Sequence, residues 1–434
     1  MTTRTLLVAV IAVALHSPGF AAQPLAVTFH SYTTSQDFTA AGAIFEGTRL
    51  TKQGDAITYG SSVGTYAYTD PYGAGTRSYS YSRWTSPWFA TGIDFTELVS
   101  SWNADTPAGT WIQVEMRATP DNVHTTKWYI MGRWAFGDGA FHRTSVGGQG
   151  NGDGYIAIDT FFAKDHPFTG YRLRVTLFKT PGSNSVPTLF AIGAVASDMP
   201  NAKPYVPSPL GGAEGIVLNV PQYSQEIHAG EYPQFDGGGE AWCSPTSTSM
   251  IVAYWNQGPS PQDYAYVYND YPNVTDPWVD YAARYIFDYH YQGAGNWPFN
   301  MAYAAHFGLA AEVTQLRSLN EAEQFIKAGI PLVASIAFPS NQLTGFFFRS
   351  TAGHLLTIVG FTPSGDVVSN DPASSSDGAV QHIYDRAQFE RDWLKSTGGI
   401  VYIIHPQSVP LPRPRCPRSP IGNHWRAGQP IVTV

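Results

Sequence analysis

Three short motifs hold the residues best suited to chemistry. Cys243 stands in Gly237-Gly-Gly-Glu-Ala-Trp-Cys-Ser-Pro-Thr-Ser-Thr-Ser-Met250. His354 follows Gly353 at the head of the apolar run Leu355-Leu-Thr-Ile-Val-Gly360, and Asp371 ends Val367-Val-Ser-Asn-Asp before Pro372. A thiol nucleophile needs a base beside it, and that base needs an acceptor to orient it. Cys, His and Asp in this order meet that need. Singly, a buried Cys is a small hydrophobe and a lone His on an apolar strand is a satisfied core residue. Their combination favours thiol chemistry.

Cys243 opens an expected helix over Ser244 to Trp255. The amides and dipole of a helix start favour the thiolate, the form that attacks a carbonyl. His354 is the expected base and Asp371 its orienting carboxylate. Asn370 is the alternative orienter, because adjacent residues of a strand face opposite ways and only one reaches the ring; the reading favours Asp371. An oxyanion donor is also needed. The Cys243 backbone N–H can serve, with Gln225 or Gln234 supplying a side-chain donor, and spacing leaves both open.

The elements that must position these groups lie in a mixed region from 216 to 405. Short strands are expected at Ile216 to Val220, Pro331 to Phe338, Leu355 to Phe361, Val367 to Ser369 and Ile400 to Ile404. Helices are expected at Asp276 to Tyr289, Trp297 to Phe307 and Glu321 to Ala328, the last capped by Asn320 with Glu323 completing a capping box. Thr362-Pro-Ser-Gly-Asp366 reads as a hairpin turn that brings the His354 and Asp371 strands together.

Residues 22–200 alternate with period two, as in Thr110-Trp-Ile-Gln-Val-Glu-Met-Arg117, and carry many Gly and Pro turns. That pattern predicts an all-β sandwich or jelly-roll-like domain. Residues 201–215, rich in Pro and Gly, read as a linker. Residues 406–434 read as a disordered Pro/Arg-rich tail.

The chain has 434 residues, a net charge of -8 and only 13% charged residues, with no basic stripe, which excludes nucleic acid as a partner. Residues 1–21 fit a signal peptide: Arg4, the apolar run Leu6 to Leu15, then Gly19-Phe-Ala21. That run is too short to span a bilayer, so a secreted or periplasmic protein with no membrane span is expected. The two cysteines, Cys243 and Cys416, could pair, but a staple to a floppy tail would stabilise little, so Cys243 is read as a free thiol.

Other signals are weaker. Gly60-Ser-Ser62-Val-Gly64 matches a serine-hydrolase elbow but lacks a following helix. Asn151, Asp153 and Asp159 read as turn formers rather than Ca²⁺ ligands. Trp84, Trp88, Trp102, Trp128 and Trp134 read as core more than as sugar platforms, so carbohydrate contact by the first domain is a minor expectation. The histidines show no zinc-type spacing, and no metal or cofactor is expected.

Val220-Pro-Gln-Tyr-Ser-Gln225, Trp242-Cys243-Ser-Pro245-Thr, Gly353-His354 and Asn370-Asp371-Pro372 together resemble the C39-like, papain-related cysteine peptidases. The resemblance covers the second domain. It implies an α+β papain-like fold with Cys243 as nucleophile, His354 as base, Asp371 as third member and Gln225 as oxyanion donor. Two features depart from that family: Ser244 replaces the glycine of Cys-Gly-Pro, and the insert Glu226 to Gly239 separates Gln225 from Cys243.

The expected function is a secreted cysteine peptidase. It would hydrolyse peptide or isopeptide bonds through a Cys thioester with a Cys-His-Asp triad, on a protein, a peptide or cell-wall peptide. The alternatives are a binding or adhesion protein with an inactive peptidase-like domain, and a thioester-using acyltransferase or cell-wall amidase.

Overall fold

The computed structural model describes residues 25–199 and 205–412. The signal-peptide reading, Cys416 and most of the tail fall outside the described residues.

The first domain is built of strands, as its alternating sequence requires. One seven-stranded sheet holds Glu97–Asp105 and Thr188–Asp198 at its centre; the other is centred on Thr110–Thr119, Phe168–Lys179 and Gly75–Thr85. Both sheets feed one apolar core, where Trp84, Trp102 and Trp134 are fully buried. Trp88 is exposed and Trp128 half-buried. Each stacks under a guanidinium, Arg172 over Trp88 and Arg174 over Trp128. Ser62 lies between two strands with no helix after it, so it makes no elbow. Asn151 accepts the Asp153 and Gly154 N–H groups in a tight turn, while Asp159 stands apart and accepts Trp297 N–H at 2.8 Å.

The second domain centres on a six-stranded sheet. Its order is Leu309–Gln315, Ile400–Pro406, Leu332–Phe338, Thr351–Phe361, Val367–Asn370, Gln381–Tyr384, with every pair antiparallel. The His354 strand is internal, which explains its apolar run on both faces. Leu355 packs with Ile251 and Val252 of helix Cys243–Tyr254, and with Met301 of helix Trp297–His306. Leu356 and Ile358 pack with Phe325, Phe389 and Trp393 on the other side.

Several local expectations fail. Ile216 to Val220 forms no strand; it meets the sheet through the isolated bridge Val217–Gly360 and a few single hydrogen bonds, such as Leu218 N–H to Val359 O. Helix Leu319–Lys327 is capped by Ser318, which accepts Glu321 N–H, and not by Asn320. Glu323 is buried instead, accepting the Gly211 and Ala213 N–H groups and pairing with Arg386. The described part of the expected linker, from Tyr205 on, is therefore docked: Ala213 is fully buried and Tyr205 donates to Glu390 at 2.8 Å. A Pro/Gly-rich segment looks like linker in sequence because its partners are acidic side chains more than a hundred residues away.

The two domains share their cores. Phe299, Tyr303, Tyr281 and Ile286 pack in the first domain's main cluster, with Trp102 and Phe299 edge to face at 6.1 Å. Asn103 bonds both polar atoms of Ala311, and the Ser101 hydroxyl accepts Val313 N–H. The outer strand Leu309–Gln315 is thus covered by side chains from the first domain, and no bare sheet edge is left there. Arg143 is fully buried and donates to carbonyls on both sides, including Arg284 at 2.9 Å.

Candidate functional site

Cys243 is the first residue of helix Cys243–Tyr254. Pro245 falls in the first turn, where a missing N–H leaves no helix bond unmade. Most buried hydroxyls of this helix find partners, Ser244 with Tyr402 at 2.9 Å, Ser247 with Leu355 O and Thr248 with Asn300, while the Thr246 hydroxyl has none. Ser244, where the C39-like pattern has glycine, is thus held in the core by the Tyr402 hydroxyl. Cys243 is half-buried and its thiol is free.

His354 and Asp371 meet through the hairpin. Thr362 and Asp366 close the turn, and Thr357 pairs with Asn370, which brings Asp371 alongside the start of the His354 strand. His354 Nε2 lies 2.8 Å from Asp371 Oδ1. The Cys243 thiol acts on the same ring, favouring its protonated form. Asn370 faces away and donates to the Val220 and Pro221 carbonyls.

Electrostatics couple the group. Burial alone would drive the His354 ring toward neutrality, but the Asp371 charge and hydrogen bond, with the thiol's help, hold its pKa up at about 10. Burial likewise pushes Asp371 up, yet His354, the Tyr384 hydroxyl and the Ala373 N–H outweigh it and leave the carboxyl below its usual range. Tyr384 donates to Asp371 Oδ2 at 2.8 Å, and Phe346 meets the His354 ring edge to face at 5.2 Å. Sequence reasoning missed both. Tyr384 ends a four-residue edge strand whose pairing with Val367–Asn370 carries no local signal, and Phe346 lies in a loop.

Gln225 is buried beside the turn that leads into Cys243. Its Nε2 donates to Glu240 O at 2.6 Å and to Glu226 Oε1 at 3.1 Å, which uses both amide hydrogens. Gly239 permits this approach: a Cβ there would sit 2.4 Å from Gln225 O. The insert therefore folds back, and Gln225 stays near Cys243 despite their separation in the chain. Gln234 is exposed.

Residues 217–401 match the model of the Peptidase C39-like family, and residues 28–197 match that of the Peptidase C39 N-terminal domain. The second domain belongs to the C39-like peptidase family, and the strand-rich domain ahead of it is the N-terminal domain associated with such peptidases. No curated protein matches the chain. Among solved structures, a family two carbohydrate esterase from Cellvibrio japonicus is 12% identical, over 52% of this chain and 49% of that one, with a TM-score of 0.17. The match thus spans about half of the esterase. A truncated AlyQ with CBM32 and alginate lyase domains is 11% identical, over 81% and 91%, with a TM-score of 0.15. Likenesses this slight carry no argument about fold or function. No helix among the described residues is long and apolar enough to cross a membrane.

Proposed function

We propose that the chain is a cysteine peptidase that hydrolyses peptide or isopeptide bonds through a thioester on Cys243. The observation that carries this reading is the buried His354–Asp371 pair, on whose ring the Cys243 thiol also acts. The papain-like description of the domain, and export directed by residues 1–21, belong to the same proposal.

In this reading Sγ attacks the substrate carbonyl carbon from a thiolate–imidazolium pair, its proton already held on His354. Because Nε2 is engaged by Asp371, Nδ1 is the nitrogen left to face sulfur. The carbonyl oxygen becomes an oxyanion, received by the Cys243 N–H, which has no intrahelical partner at a helix start, and by Gln225. Collapse breaks the C–N bond and the amine leaves with the proton from His354. Water, deprotonated by the same ring, then hydrolyses the thioester. Asp371 holds the ring in one tautomer and stabilises imidazolium. For Gln225 to donate, the substrate oxygen must displace the Glu226 carboxylate from Nε2.

The test is a peptide-library digest, with mass spectrometry of the trapped acyl-enzyme and iodoacetamide labelling near neutral pH. Cys243→Ala should lower kcat by on the order of 10⁵-fold or more. An inert thiol and no turnover in the unsubstituted chain would leave a binding protein with an inactive domain.

A further inference from the structure

Behind the Cys243 turn lies a second cluster that the peptidase chemistry does not use. His228 closes the short turn Glu226–His228, Glu231 follows it, and Asp280 comes from helix Pro277–Ile286. His228 Nδ1 is 2.8 Å from Glu231 Oε2 and 3.1 Å from Asp280 Oδ2. His228 and Asp280 are fully buried. One Nδ1–H cannot serve two carboxylates, and it is directed at Glu231. Both Asp280 oxygens are left without a hydrogen bond, one of them aimed at the same nitrogen.

The charge balance sharpens the problem. His228 has one Nδ1 proton to share between two carboxylates, and the closed site leaves Asp280 no other hydrogen-bond partner. A buried charge without a partner is costly. A divalent cation in place of the shared proton would bring the three groups to neutrality. It would also bond the orphaned Asp280 oxygen. His228 Nε2–H lacks a partner in either state, but on a neutral, metal-bound ring that omission costs less than on imidazolium. The spacing fits as well. Ligand atoms of a tetrahedral zinc site stand about 3.3 Å apart for bonds of about 2.0–2.1 Å, close to the 2.8 and 3.1 Å found here.

We propose that His228, Glu231 and Asp280 form a zinc-binding site that fastens the insert Glu226 to Gly239 to helix Pro277–Ile286. One imidazole and two carboxylates select zinc over the hard, oxygen-seeking Ca²⁺ and Mg²⁺. The ion would have a positioning role. The turn it fixes starts at Gln225 and presses on Gly239 and on Trp242, whose ring centroid lies 6.2 Å from that of His228. Sequence spacing conceals the site, because two ligands sit three residues apart and the third comes from a distant helix.

The experiment is equilibrium dialysis of the full chain against zinc chloride after chelator treatment, read by elemental analysis, with no appeal to activity. About one zinc per chain should be retained. Asp280→Asn and Glu231→Gln should each weaken binding by more than about 100-fold, while Cys243→Ala keeps it. Circular dichroism checks that each variant is folded; Glu231, at the rim, serves if Asp280→Asn is not. Cobalt in place of zinc should give a visible spectrum without thiolate charge transfer. No zinc uptake by the unsubstituted chain, or equal uptake by the Asp280 and Glu231 variants, overturns the proposal and leaves an acid–imidazolium–acid triad.

Discussion

The Tyr384 hydroxyl donates to Asp371 Oδ2 at 2.8 Å, on the opposite side of the carboxylate from His354. Asp371 is thus held at both oxygens: Oδ1 takes His354 and the Ala373 N–H, and Oδ2 takes Tyr384. Such a carboxylate cannot swing away from the ring. Tyr384→Phe should cost about 1.5–3 kcal/mol of stability, the range for a hydrogen bond to a charged group. Asp371 has its pKa depressed on folding, so its contribution is present above the unfolded value of about 3.9 and is lost as pH falls below it. The gap between Tyr384→Phe and the unsubstituted chain should therefore narrow below about pH 4 in denaturant titrations. A gap that stays constant to pH 2 would contradict this account.

Asp371→Asn tests the tautomer argument. It keeps the shape and removes the charge, so kcat should fall by on the order of 10⁴-fold. The sign of the pH effect follows from His354, raised on folding to about 10. Its stabilisation is complete below the unfolded value of about 6.5 and is lost as pH rises through about 10. With Asp371 neutralised, the alkaline limb of kcat/KM should move to lower pH. An unmoved limb would show that Asp371 does not govern the ring.

Gln225 and Gln234 were equal candidates by spacing. Gln225 is buried against the turn before Cys243 and Gln234 is exposed. Gln225→Ala should lower kcat by about 10²–10³-fold with little change in KM. Gln234→Ala should leave both within error, and steady-state kinetics on one peptide separates the two.

Arg143 binds the two domains. Its guanidinium donates to Ala135 O, Phe136 O, Arg284 O and Phe287 O. Arg143→Ala should cost at least about 3 kcal/mol by stranding those carbonyls. Because the cores are shared, the variant should still melt in one calorimetric transition at a lower temperature. Two separate transitions would show that the domains fold independently.

The strands of the first domain, the helix behind Cys243 and the His354–Asp371 hairpin were legible in the chain itself. Each rests on local physics: period-two alternation, a helix start with proline in its first turn, a Pro-Ser-Gly turn between apolar runs. Ile216 to Val220 was misread because a short apolar run looks like a strand whether or not a neighbour accepts it. Asn320 was misread as a cap because Ser318, two residues earlier, had an equal claim that only backbone geometry resolves.

What tertiary structure alone decided was partnership across long separations. Tyr384 on Asp371, Gln225 folded back beside Cys243, and His228 against Asp280 join residues 13, 18 and 52 positions apart. The docking of Ala213 onto Glu323 is of the same kind. Local pattern reports what a residue can do, because propensity and polarity belong to a segment. Which of two glutamines is buried, or which carboxylate meets a ring, depends on loop closure and desolvation summed over the whole chain, and no short window carries that sum.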